Sequence, residues 1–404
     1  MGMRKTLIII LLMMASRVLF AQEGLEHTVR GTVRDASSGR PVAAVSVLVP
    51  GQHHATVTNA DGTFIIKSDK PISVLRFSRI GYRDTKKTVG QEAMSVRMTP
   101  VAYPLPEASI VTGDPYEILQ SAIGRIRENY PDKPELLRFF YRETLQKRQR
   151  YISVHEAVAR VYKTPYYLPN HGPDRTALEK SRVIMSQRRH DTLSVRMMGG
   201  PTLAVVFDVL KNRDILLNPT DLPLYSYTLE SPEYIADRLQ FVIRFEPARE
   251  AEYPLYYGKF YIDRETLLFT RVELSLDVRD PAKASRVMLV RKPLALRFIP
   301  QEQSFVINYR EQNGCARLDY LRSTMSFRCD WKKRSLATAY TVVNELVVTD
   351  VIEPALPIPG SEMFKTSDAL DDKAPLFLDP DFWKDYNIIE PSESLEHAVT
   401  RLKK

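Results

Sequence analysis

Apolar and polar residues alternate over short stretches along most of this chain, and this alternation constrains its fold more than any other feature. The pattern is clear between Val29 and Val33, and it recurs near residues 239–245, 268–276 and 305–310. Because successive side chains of a β-strand point to opposite faces, a period of two is typical of strands with one buried and one solvated face. The sequence therefore predicts a mainly β protein with antiparallel sheets and few helices.

The composition excludes several other classes of protein. The chain has 404 residues, of which 44% are hydrophobic and 26% charged, as in ordinary folded proteins. Only two cysteines are present, too few for a disulfide-dense scaffold or a zinc site of four cysteines. The 57 basic residues exceed the 49 acidic ones by eight, and the excess is spread over short clusters. Such clusters are usually solvated, although contact with anionic lipid head groups stays open.

Residues 1–21 have the pattern of an export signal. Arg4 and Lys5 precede a short apolar run, and Ala21 is a small residue at a plausible cleavage site. The run is shorter than the roughly 20 apolar residues of a membrane-spanning helix. We therefore expect a cleaved signal rather than an uncleaved anchor. Export argues against nucleic acid as a partner.

Residues 25–101 contain short strand patterns separated by turn signals, for example at Asp61-Gly62, which predict a small antiparallel β-sandwich. The ordered motifs resemble the carboxypeptidase-regulatory-like domain, a transthyretin- or immunoglobulin-like sandwich abundant in exported Bacteroidetes proteins. The resemblance implies an accessory module without peptidase activity. The motifs are Gly31-x-Val33-x-Asp35, Gly39-x-Pro41-Val42, Gly62-x-Phe64-x-Ile66 and Ile80-Gly81-Tyr82.

The histidines do not follow the spacing of a zinc peptidase. None of the seven has a glutamate three residues later. The adjacent His53 and His54 would point to opposite sides of an extended backbone, so they are interpreted as exposed loop residues rather than metal ligands.

Residues 108–404 predict a larger β-rich domain. Asp114 and Pro115 indicate the start of a helix over 114–129, and a closing helix is expected over 392–402. The strands between them predict a large curved antiparallel sheet or half-barrel. A membrane barrel is disfavoured because charged residues near 271–277 occupy one whole face of a strand.

Several short sequence motifs in this region resemble those of an exported Bacteroidetes family of unknown function. In that family a regulatory-like sandwich precedes a β-rich domain similar in outline to the half-barrel of periplasmic lipoprotein carriers. The resemblance implies a location in the periplasm or on the periplasmic face of the outer membrane. These motifs include Phe140-Tyr-Arg-Glu143, Gly258-x-x-Tyr-Ile-Asp263 and Asp381-Phe-Trp-Lys-Asp-Tyr-Asn387.

Two sets of side chains are candidate functional residues. Cys315 and Cys329 would oppose each other in a hairpin centred on Arg322, within reach of a disulfide; a register slip of one residue would leave two free thiols. Tyr256, Tyr257 and Tyr261 could line a ligand-binding face, although half-buried packing in a sheet explains tyrosines equally well.

No other sequence motif indicates a catalytic or binding function. Asp371 and Asp372 lie in a polar stretch, and Trp383 is expected to pack the C-terminal segment onto the sheet. G-x-S-x-G, Walker and G-x-G-x-x-G motifs are absent. The sequence therefore predicts no catalytic, cofactor-binding or metal-binding residues. We expect a non-enzymatic exported binding or accessory protein for an envelope protein or an apolar ligand. The alternatives are a lipid or lipoprotein carrier, and a hydrolase with a dispersed acid/base pair.

Overall fold

The computed structural model describes residues 27–101, 113–168, 174–188, 191, 193, 195–197, 200–312, 314–331, 337–366, 368, 370 and 382–402. The predicted export signal and the Asp371-Asp372 pair lie outside these described residues. The prediction of a mainly β protein, with small N-terminal sheets followed by a large curved antiparallel sheet, is confirmed.

The first seven strands form two small sheets that share one hydrophobic core. Their orders are β4-β1-β7 and β3-β2-β5-β6, and we call the pair the sandwich. One pairing differs from the antiparallel prediction, because β1 and β7 run parallel. Gly62 in the predicted turn has a φ of 73°, and a Cβ there would lie 2.4 Å from the carbonyl oxygen of Val33, so only glycine fits. The strands are β1 His27–Asp35, β2 Ser46–Leu48, β3 Ala55–Val57, β4 Thr63–Ser68, β5 Val74–Ser78, β6 Thr85–Thr88 and β7 Met94–Met98.

Ten further strands form one antiparallel sheet, in the order β10-β9-β8-β19-β18-β17-β15-β14-β13-β12. A separate two-stranded ribbon pairs β11, Arg196–Met197, with β16, Leu289–Arg291. The ten strands are β8 Glu135–Lys147, β9 Arg150–Lys163, β10 Arg175–Met185, β12 Tyr225–Ile235, β13 Arg238–Pro247, β14 Tyr256–Asp263, β15 Phe269–Leu276, β17 Leu296–Gln312, β18 Cys315–Trp331 and β19 Thr338–Ile352.

Five α-helices accompany the strands in the described part of the chain. They are α1 Pro115–Gly124, α2 Ile126–Asn129, α3 Pro201–Val206, α4 Pro281–Met288 and α5 Glu393–Leu402. Asp114 is the N-cap of α1, where its side chain accepts a hydrogen bond from the amide of Tyr116. None of the described helices is long and apolar enough to cross a membrane.

One face of the large sheet, which we call the helix face, is covered by helices and by the segment 200–224. Its strands supply buried residues such as Phe139, Phe260 and Ile307, against which Leu119 and Leu210 of the covering elements pack. Further along the same strands, α4 packs over a second cluster. A bulge in β17 between Pro300 and Glu302 lets one strand serve both clusters. Buried side chains of the chain itself therefore fill this face.

The opposite face carries the sandwich and the C-terminal segment 382–402. Trp383 is buried there, with its ring 5.6 Å from that of Phe140 and nearly perpendicular to it, as expected for this side chain. Lys67 of β4 donates hydrogen bonds to the carbonyl oxygens of Trp383, Lys384 and Tyr386 at 2.7, 2.9 and 3.0 Å. The C-terminal segment thus joins the sandwich to the large sheet.

The predicted hairpin centred on Arg322 is wrong, and with it the disulfide. Cys315 and Cys329 lie on the single strand β18, and both thiols are free. Fourteen residues of extended chain separate them, a span of roughly 46 Å. Arg322 is in the middle of the sheet, where its register partners are Val306 and Glu345. The chain instead reverses next to Gly314, whose φ is 75°.

Candidate ligand-binding cavity

A cavity of about 580 Å³ lies between the sandwich and the large sheet, and we call it the interface cavity. Strands β2 and β5 form one wall, and β15, β17 and β18 form the other. The volume falls within the range of small-molecule sites.

Basic side chains dominate the charged lining of the interface cavity. Seven basic residues line it, against the two acidic residues Glu311 and Asp319. Five of the arginines are paired with carboxylates, which fixes their side chains. The pairs are Arg76–Asp84 at 2.6 Å, Arg238–Glu311 at 2.7 Å, Arg271–Glu273 at 2.7 Å, Arg310–Asp319 at 3.0 Å and Arg322–Glu345 at 3.3 Å.

The two remaining cations, Arg79 and Lys86, have no ion pair with any residue that the structure describes. Arg79 is only partly exposed, and its guanidinium carbon lies 5.5 Å from the centre of the Tyr82 ring. Burial lowers the pKa of Arg79, and the positive charge of Arg271 lowers it further. An arginine stays protonated despite such a shift. The wall therefore holds a partly desolvated positive charge that pairs with no carboxylate in the described part of the chain.

Neutral groups complete the lining. The hydroxyl oxygen of Ser46 is buried and has no hydrogen-bond partner among the described residues. The Tyr320 hydroxyl donates to Glu345 at 2.8 Å, and burial raises its pKa well above the usual value, so it remains protonated. Leu48, Ile80 and Val306 add apolar surface. The cavity thus combines cationic groups, hydrogen-bonding groups and apolar side chains in one lining.

The three tyrosines predicted as a ligand-binding face do not form one cluster. Tyr256 packs against the core of the helix face. Tyr257, the next residue along β14, is exposed, whereas Tyr261 is buried. None of the three lines the interface cavity. Successive side chains of a strand alternate between faces, which separates Tyr256 from the other two.

The adjacent histidines are also separated. His53 is exposed, while the Nε2 atom of His54 lies 2.9 Å from a carboxylate oxygen of Asp69 and its Nδ1 atom 3.9 Å from one of Asp350. Among the described residues, no group of three or more histidine, cysteine, aspartate or glutamate side chains could hold a metal ion.

A second polar cluster, which the sequence analysis did not identify, is enclosed beneath the segment 200–224. Asp208 accepts hydrogen bonds from Tyr166 at 2.6 Å and Tyr309 at 2.8 Å, and it lies 2.9 Å from the Lys163 ammonium. Burial acts to lower the pKa of Lys163, but Asp174 and Asp208 outweigh it and raise the pKa. Lys163 is therefore held as a buried cation and is unsuited to act as a nucleophile.

Sequence comparison supports the N-terminal resemblance. Residues 29–110 match the family model of the CarboxypepD_reg-like domain. No curated protein matches the chain.

Solved structures resemble the chain only distantly. A DUF1329 family protein from Desulfovibrio piger is 13% identical, with 61% of this chain and 96% of that chain covered and a TM-score of 0.25. A putative outer membrane lipoprotein-sorting protein domain from Vibrio parahaemolyticus is 12% identical, with 60% and 93% covered and a TM-score of 0.26. A LolA superfamily protein from Nitrosomonas europaea is 11% identical, with 63% and 99% covered and a TM-score of 0.22. Scores this low carry no functional inference.

Proposed function

We propose that this chain is a non-enzymatic exported binding protein that holds a small organic anion in the interface cavity. Residues 25–101 and 108–404 act as the two binding units, and residues 1–21 direct export. The single observation that carries the proposal is Arg79. Its partly desolvated guanidinium lines the cavity, is influenced by the positive charge of Arg271, and has no carboxylate partner among the residues that the structure describes.

The chemistry of the lining suggests the class of ligand. A guanidinium group binds a carboxylate or a phosphate through two parallel hydrogen bonds. The unpartnered hydroxyl of Ser46 can supply one more hydrogen bond, and Lys86 one more positive charge. The apolar residues of the lining fit a short hydrocarbon portion. We therefore propose a carboxylate or phosphate with an apolar body as the ligand.

The alternatives have less support. An apolar carrier would need an open trough, whereas buried residues of the chain itself cover the helix face. A hydrolase would need free carboxylates, whereas Glu311 and Asp319 of the cavity are paired with arginines. Asp208 is enclosed and bonded to Lys163 and two tyrosines.

Calorimetric titration with octyl phosphate, and with octanol as the uncharged analogue, tests the proposal. We expect the wild-type protein to bind octyl phosphate more tightly than octanol. Loss of a charge-assisted hydrogen bond in Arg79→Gln should weaken octyl phosphate binding about ten-fold or more. Arg97→Gln is the matched control, because Arg97 is exposed on β7 away from the cavity.

Two results would contradict the proposal. One is a wild-type protein that binds octyl phosphate no better than octanol. The other is an equal loss of affinity in Arg79→Gln and Arg97→Gln, which would place the bound anion outside the interface cavity. Near-ultraviolet circular dichroism of both variants verifies that they keep the native fold.

A further inference from the structure

An apolar tip projects from the chain between α4 and β17, and we define it as residues 289–295. Leu294 is 97% exposed and Val290 is 55% exposed. Single exposed apolar residues are common on protein surfaces. This tip differs from such isolated residues in two ways. Buried residues anchor it at both ends, and basic residues surround it.

Core packing on both sides anchors the tip, and strand β16 at its start pairs with β11. On one side, Ala284 and Met288 of α4 are buried in the cluster over the large sheet. On the other side, Leu296 and Phe298 of β17 are buried in the same cluster. The Lys292 ammonium donates to the carbonyl oxygen of Leu296 at 2.9 Å, which closes the loop. Leu294 therefore protrudes from a fixed base.

The residues around the tip are basic and lack acidic neighbours in sequence. The stretch 281–301 contains five basic residues and no aspartate or glutamate. Asp280 precedes the stretch, where its carboxylate caps α4 by accepting from the amides of Ala282 and Lys283. Four of the five basic residues are exposed, namely Arg286, Arg291, Lys292 and Arg297.

We propose that this tip docks on the surface of an anionic lipid bilayer, with Leu294 and Val290 entering the interfacial region. Apolar side chains on a basic surface combine two attractions, burial near the acyl chains and contact with anionic head groups. Each basic residue close to such a surface strengthens binding by roughly five-fold. With two apolar residues and a few cations, the contact is reversible and sensitive to salt.

Another exposed leucine provides the matched control. Leu356 is 64% exposed, but its stretch 353–362 contains Glu353 and Glu362 and no basic residue. A leucine in acidic surroundings lacks the electrostatic attraction to anionic lipid. Substitution of Leu356 should therefore leave binding to such a bilayer unchanged.

Co-sedimentation with vesicles tests the proposal. The protein without residues 1–21 is mixed with vesicles of equal parts phosphatidylglycerol and phosphatidylcholine, or of phosphatidylcholine alone. We expect binding to the mixed vesicles only, and release by salt. Leu294→Ser should weaken binding several-fold, as should the double variant Arg286→Gln/Arg291→Gln, whereas Leu356→Ser should bind like the wild type.

Two outcomes would overturn the proposal. If the wild type does not bind the anionic vesicles, an acidic protein becomes the occupant that this surface fits. If Leu294→Ser and Leu356→Ser bind equally, the tip does not enter the bilayer. None of the substituted residues lines the interface cavity, so octyl phosphate binding of these variants tests the proposed function separately.

Discussion

At the scale of single residues, the described chain places charge in two contrasting environments. Lys163 and Asp208 are fully buried, and each contacts the other and further polar groups. Arg79, in the cavity wall, has no acidic partner among the described residues. A buried charge that keeps its partners maintains structure, and removal of one partner exposes the cost of desolvation. We therefore expect the first environment to govern stability, and we propose that the second binds an anion.

Replacing Asp208 with asparagine should lower the free energy of unfolding by about 3 kcal/mol, because Lys163 would stay buried with one carboxylate instead of two. Urea denaturation followed by tryptophan fluorescence measures the change. Asp214→Asn, an exposed position in the same segment, is the control and should change stability by under about 0.5 kcal/mol. Equal stability of the two variants would show that Asp208 does not support the fold.

The residues of the interface cavity could not be predicted from the sequence. Arg79 follows β5 and Arg271 lies in β15, 192 residues later. No local motif connects positions that meet only when the sandwich packs against the large sheet. The Asp208 cluster was missed for the same reason, because Lys163, Asp208 and Tyr309 come from three distant segments.

At the scale of elements, the alternation of apolar and polar residues predicted strands well and strand ends poorly. Residues 305–310 were predicted as strand, and they lie in β17. The turn predicted near Arg322 does not form, and Tyr320 to Thr324 contains no glycine, proline or asparagine that would favour one. The chain reverses instead beside a glycine, the residue typical of turns, because Gly314 lies between β17 and β18.

Strand β9 shows how one element holds another in place. Glu156 accepts hydrogen bonds from Arg142 at 2.7 Å and Arg182 at 2.6 Å, and from the Trp383 indole at 3.3 Å. Arg142 also donates to the carbonyl oxygen of Ile389 at 2.6 Å. Burial acts to raise the pKa of Glu156, but the two guanidinium groups outweigh it and hold the pKa below the usual value of a glutamate.

Glu156 should therefore stabilise the protein in a pH-dependent way. Because its pKa is lower in the folded state, its contribution is fully present above about pH 4.5 and is lost as the pH falls through the folded-state pKa. We expect Glu156→Gln to be about 3 kcal/mol less stable than the wild type near neutral pH, with a smaller difference in acid. Urea denaturation at several pH values measures this.

The control for Glu156 is Glu390→Gln, whose carboxylate lies 3.6 Å from the exposed Arg30 guanidinium. A surface pair of this kind contributes under about 1 kcal/mol. A stability difference between wild type and Glu156→Gln that grows towards low pH would contradict the assignment of a charged Glu156.

At the scale of the whole molecule, the sandwich and the large sheet meet both through the C-terminal segment and through direct packing of Val57 and Ile65 on the sheet. Lys67 binds three of its carbonyl oxygens, and the Thr56 hydroxyl donates to that of Ile388 at 2.8 Å. Direct contacts also exist, such as the hydrogen bond of 3.1 Å from the Gln312 side chain to the carbonyl oxygen of Gln52. The interface cavity depends on both sets of contacts.

Removal of residues 382–404 should loosen the sandwich from the large sheet. We expect a larger radius of gyration in small-angle X-ray scattering and a loss of octyl phosphate binding, because the two cavity walls would separate. A synthetic peptide of residues 382–402, added to the shortened chain, should reverse both effects in part. A shortened chain that keeps the wild-type radius would show that the direct contacts suffice.

The bulge in β17 links the interior of the protein to the chemistry of its cavity. Beyond that irregularity, Phe305 and Ile307 face the helix side while Val306 and Asn308 line the cavity. If one residue were lost near Gln301, every later side chain of the strand would exchange sides. The Phe305 ring would then fill the interface cavity, and the Asn308 amide would enter the apolar core of the helix face. We therefore expect the fold to tolerate insertions or deletions near Gln301 only in steps of two residues, because two residues restore the facing of every later side chain.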